Sequence, residues 1–107
     1  MKIKLYQIAP ERDDKNLMFM NYEFAVSHGG ICETVYELVF DGELPVKNAE
    51  DTFRIFNTAL PGGYRGRSMS VSDIVWSEEF GYQFCDSIGF KKIMFAGEKC
   101  CQRKFVG

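Results

Sequence analysis
The densest chemistry in the chain lies in Gly62-Gly63-Tyr64-Arg65-Gly66-Arg67-Ser68-Met69-Ser70-Val71-Ser72-Asp73. Guanidinium forks grip phosphate through paired hydrogen bonds, exposed backbone amides add donors, and an aromatic ring can stack on a base. Read this way, Tyr64, Arg65, Arg67 and Ser68 form a contact loop for phosphate or single-stranded nucleic acid. The same residues also have a structural reading. Glycines make the turn, Met69 and Val71 dip into the core, and Ser72 or Asp73 ties the loop's own amides. The segment is not a P-loop: there is no GxxxxGK[ST], and the glycines precede a strand instead of a phosphate-facing helix.

Asp86 is the second notable residue. It shares a strand face with Tyr82, Phe84 and Ile88, so alternation places a carboxylate among apolar side chains. Such an acid must find partners or shift its pKa. The simplest partner is Arg65 or Arg67, which would pin the loop to the sheet. A nucleophilic set can be drawn from Cys85 or Ser87 with His28 and Asp86, but no local spacing supports it. The adjacent acids Asp13-Asp14 and Glu78-Glu79 diverge in loops and do not suggest a two-carboxylate hydrolase. Cys32, Cys85, Cys100 and Cys101 contain no CxxC pair, and one histidine cannot complete the usual zinc set. Neither a metal nor another cofactor is expected.

These groups must be positioned by a single domain spanning residues 1–107, since 107 residues leave no room for a second core. A composition of 46% hydrophobic and 26% charged residues is globular, and the 15% aromatic share predicts an aromatic core. The net charge of -2 excludes a globally basic nucleic-acid coat but not a local patch. Charge is uneven: residues 11–51 hold ten acids and three bases, whereas Lys91, Lys92, Lys99, Arg103 and Lys104 near the end face only Glu98. No apolar stretch reaches bilayer length, and the basic start lacks the apolar core of a signal peptide, so a cytoplasmic protein is expected.

Residues 2–8 read as a strand closed by Pro10. Phe19, Tyr22 and Val26 recur at helical spacing within residues 17–26, before a Gly29-Gly30 stop, although a continuous strand competes there. Residues 33–40 alternate as a half-buried strand ended by an Asp41-Gly42 turn. Asn48 caps a helix whose stripe is Ala49, Phe53, Phe56 and Leu60, with Pro61-Gly62-Gly63 as its stop. A short strand at 74–76 turns through 77–81 into a strand over 82–88, which bends at Gly89 and resumes over 90–95. A basic tail, 97–107, is expected to fray. The fold class is therefore α+β, with a single antiparallel sheet of about five strands packed against one or two helices.

Two blocks carry a family resemblance. Tyr64-Arg65-Gly66-Arg67-Ser68-Met69-Ser70-Val71-Ser72-Asp73-Ile74-Val75 and Tyr82…Asp86-Ser87-Ile88-Gly89-Phe90 resemble the YodL-like domain family, and the likeness covers most of residues 33–95. Ile74 stands for the usual valine and Ile88 for the usual aromatic. The resemblance implies a small domain of conjugative elements, plasmids and phages, with no catalytic residues to carry over. By analogy, it implies a non-catalytic binding module that inhibits a host defence nuclease of the anti-CRISPR or antirestriction type. Phosphate mimicry would then use Glu11, Asp13, Asp14, Glu33, Glu37, Asp41 and Glu43, provided these share one face. The alternative is RNA or single-stranded DNA binding through Tyr64, Arg65, Arg67, Lys91 and Lys92, and an enzyme built on Asp86 and Cys85 ranks below both. The expected contact residues are Tyr64, Arg65, Arg67, Ser68, Asp73, Asp86, Lys91 and Lys92.

Overall fold
The computed structural model describes residues 1–62, 64 and 66–102, with Cys101 and Gln102 described in backbone only. Its elements are β1 (Lys2–Ile8), α1 (Tyr22–Ser27), β2 (Tyr36–Glu43), α2 (Ala49–Thr58), β3 (Ile74–Ser77), β4 (Gly81–Cys85), β5 (Phe90–Lys92) and β6 (Cys101–Gln102). They form one sheet in the order β5-β4-β3-β1-β2-β6. The first five strands pair antiparallel, as expected, and the two-residue β6 adds parallel to β2.

Neighbouring residues of a strand point to opposite faces, and here both faces are covered. Ile3, Leu5, Val75 and Cys85 join Ala49 and Phe56 of α2 in one core. Tyr6, Ile8, Ile74 and Phe84 join Leu17 and Phe95 in the other, with Tyr22 and Phe24 of α1 packed against it. Aromatic edges knit each layer. Phe56 meets Phe40 at 5.2 Å and Tyr64 at 4.9 Å, and Phe95 meets Tyr6 at 5.3 Å and Tyr36 at 5.4 Å.

α2 follows its sequence signals. The Asn48 side chain accepts from the Asp51 amide at 2.8 Å, satisfying a donor that the first helical turn leaves open. Asn48→Ala is expected to cost about 1 kcal/mol in chemical denaturation. The buried stripe differs from expectation: Thr52 replaces Phe53, while Phe53 and Leu60 are exposed.

Three other expectations are corrected. The helix expected over 17–26 begins only at Tyr22. Asp13 accepts from the amides of Leu17 and Met18 at 2.7 and 3.0 Å, and Phe19 adopts φ 69°, which no right-handed helix contains. β2 runs through Asp41-Gly42 to Glu43, because β1 pairs with it along that whole length after a bulge at Leu5/Tyr6. The strand expected to bend at Gly89 is instead a hairpin. β4 ends at Cys85, the Asp86 amide donates to the Gly89 carbonyl at 3.0 Å, and Gly89 turns with φ 73°. Residues 97–99 form a 3-10 turn, and of the expected basic tail residues 103–107 lie outside those described.

Candidate functional site
The two motif blocks settle at different places and do different work. The first becomes a buried polar knot. Gln7 follows Ile3 and Leu5 on one face of β1, and its Nε2 donates to the Arg67 carbonyl at 2.9 Å and to Asp73 Oδ2 at 3.0 Å. The Ser70 amide donates to the same Oδ2 at 3.0 Å. Arg67 turns inward: its Nη2 donates to the Ile8 carbonyl at 3.0 Å and lies 3.8 Å from Asp73 Oδ1, while its guanidinium covers the Phe19 ring at 5.5 Å. Ser72 accepts from the Phe19 amide at 3.0 Å, and the Tyr36 hydroxyl donates to the Ser72 carbonyl.

Asp73 is 0% exposed, and burial pushes its carboxyl up to about 7 against the opposing pull of Ser70, Gln7 and Arg67. Tyr64, expected as a stacking platform, instead packs on Phe56 and donates its hydroxyl to the Arg67 carbonyl at 2.6 Å. A Cβ on Gly66 would collide with that tyrosine ring, which explains the glycine between two arginines. Ser68 is exposed, its carbonyl 3.4 Å from Gln7 Nε2. Arg65 lies outside the described residues. Gln7 was not among the expected site residues. Its signal was an amide at the third inward position of an otherwise apolar strand face.

The second block becomes an exposed corner. Asp86 does not reach Arg67; its Oδ1 accepts from the Tyr22 amide at 3.1 Å and the Ser87 amide at 2.8 Å, tying the β4–β5 hairpin to the start of α1. Ile88 at the hairpin tip is 93% exposed. An open groove of about 600 Å³ separates the hairpin from α1, lined by Tyr22, Val26, Asp86 and Lys91. A smaller one of about 250 Å³ lies on the α2 side, lined by Phe53, Cys85, Gly89 and Phe90. Lys91 Nζ sits over the Tyr22 ring at 5.3 Å, and Lys92 is exposed. Asp86, Lys91 and Lys92 are thus gathered at one edge, with Tyr22, Val26 and Phe53 added by the fold.

The other groups considered for chemistry have partners or surroundings of their own. Burial pushes the Cys85 thiol up to about 12, with Asp73 and Asp86 adding to the shift, which is opposite to the activation a nucleophile needs. His28 stacks on Phe24 at 3.9 Å, with Nδ1 2.9 Å from the Phe24 carbonyl. Among the described residues no group of three His, Cys, Asp or Glu is placed to hold a metal ion. Of the seven acids expected for phosphate mimicry, four have partners and Glu37 is buried, while Glu11 and Asp14 are exposed. Asp13 binds the Leu17 and Met18 amides, Glu33 accepts from the Ala96 amide, Glu37 is buried, Asp41 pairs with Lys2, and Glu43 pairs with the N-terminus.

Compared with known families, residues 2–95 match the model described as YodL-like domain. The chain belongs to the YodL-like domain family. The YodL-like match starts at β1, well before the stretch in which the motif blocks alone suggested it. That start agrees with the geometry, since Gln7 and Ile8 of β1 hold the first block in place. No curated protein and no solved structure matches the chain. Among the described residues no helix is long and apolar enough to cross a membrane.

Proposed function
We propose that this YodL-like domain is a non-catalytic, cytoplasmic binding module of a mobile genetic element, and that its partner is a protein, a bacterial defence nuclease first among those to assay. The observation that supports it best is the hairpin corner. A rigid turn presents the 93%-exposed Ile88 between two grooves, and Val26 and Phe53 stand exposed beside them. An apolar residue held out by a hydrogen-bonded turn is costly to solvate and loses little entropy on contact, which suits an anchor for a protein surface. The nucleic-acid reading has less support, because Arg67 and Tyr64 are engaged in the knot.

Ile88→Asp tests this directly. At so exposed a site it leaves folding unchanged, while recovery of the partner from host lysate is expected to fall by about tenfold or more. Lys47→Ala, exposed on the loop before α2, serves as a control that retains full recovery. A nuclease recovered with the wild-type chain should be inhibited by it and not by Ile88→Asp. Equal recovery of the same protein with Ile88→Asp would remove the corner from the interaction.

A further inference from the structure
β5 is an open sheet edge. The Asp86 amide donates to the Gly89 carbonyl, the Ile93 amide donates to the Tyr82 carbonyl, and Lys91 pairs with Phe84 between them. Residues 89, 91 and 93 therefore direct their backbone groups toward β4. Antiparallel alternation turns those of Phe90, Lys92 and Met94 outward, and among the described residues no backbone bond outside the strand ladders closes them. On the opposite side of the sheet the two-residue β6 covers only Glu37 and Leu38 of β2. Unpaired edges are templates for another strand, and the β5 edge has a groove on each side of the sheet.

We propose that the β5 edge accepts an extended, acid-bearing segment of the partner protein as an added β-strand. This deepens the binding-module reading and rests on it. The outward amides and carbonyls supply the backbone bonds, and the two grooves receive alternate side chains. Phe90 and Lys92 share the α2 side of the sheet and Lys91 the α1 side, as their pairing with Cys85, Gln83 and Phe84 requires. The matching segment therefore sets an apolar residue against Phe90 and Phe53, with acids beside Lys91 and Lys92. Neither lysine makes an ion pair among the described residues. Glu23 and Glu50 line the helix sides of the grooves, which confines incoming acids to the strand itself. A second copy is the wrong occupant: pairing β5 with β5 brings four lysines into one seam, and like charges opposed across strands repel.

The test is selection of a random short-peptide display library on the intact chain. Enriched peptides are expected to set an apolar residue next to two consecutive Asp or Glu, and to slow hydrogen exchange at the Phe90, Lys92 and Met94 amides. Lys92→Pro removes one outward donor without touching the β4 ladder and should weaken these peptides by about tenfold. Should that variant fail to fold, Lys91→Glu with Lys92→Glu, both at exposed positions, decides instead. Absence of acidic extended peptides, or peptides that bind these variants as well as wild type, would overturn the proposal. If the lysate partner still depends on Ile88 in that case, the binding-module reading stands and only the edge-strand mode falls. Loss of both dependences ends both.

Discussion
The folded protein loses stability as pH rises from about 4 to about 7, and Asp73→Asn flattens that loss. The unfolded chain releases the Asp73 proton near 3.8, whereas burial holds it in the fold to about 7. Between those values the native state binds the extra proton, so stability is greatest below the unfolded value and declines as pH climbs through the folded one. The full effect is on the order of a few kcal/mol, since each unit of displacement corresponds to about 1.4 kcal/mol. Glu33 works in the opposite direction at lower pH. Its carboxyl is held below the usual range, chiefly by its own backbone amide and that of Ala96, so its contribution is lost as pH falls. Subtracting variant from wild type isolates Asp73, and urea denaturation at closely spaced pH values reads the difference. Parallel curves for the two proteins would mean that the carboxyl ionises equally in both states.

Phe56→Ala is expected to cost about 3–5 kcal/mol, enough to lower Tm by more than about 10 °C in a domain of this size. Phe56 is fully buried, faces Phe40 and Tyr64 edge-on, and belongs to the core shared by α2 and one face of the sheet. Its removal leaves a cavity that the helix cannot close alone, because α2 is also fastened to the loop by the bond from Asn57 Nδ2 to the Met69 carbonyl at 2.9 Å. Phe56→Leu should cost visibly less by the same chemical denaturation. A loss below about 1 kcal/mol for alanine would show that the site collapses around the missing ring.

Sequence pattern was most informative where structure is local. Alternation in 2–8 and the cap at Asn48 are decided within a few residues, and both elements form as expected. The failures have a common cause. Residues 17–19 have helical spacing, but the Asp13 carboxylate takes their amides and Ser72, far along the chain, takes the amide of Phe19. Asp86 through Gly89 fits a bent strand as well as a hairpin until the bond between their backbones is known. For the candidate site, the sequence points to some of the residues gathered there but not to their direction. Arg67 and Asp73 were recognised as unusual, yet only a distant strand carrying Gln7 shows that they face inward. Asp86 and Lys91 acquire their setting from Tyr22, which alternation along their own strands cannot reveal.

The open edge at β5 has a consequence for stoichiometry. Because β6 covers only Glu37 and Leu38, it does not seal that flank, and in the proposed mode the β5 edge alone sets the ratio. Each chain offers one β5 edge to a segment of a different protein, so the proposed complex is one-to-one instead of a filament of copies.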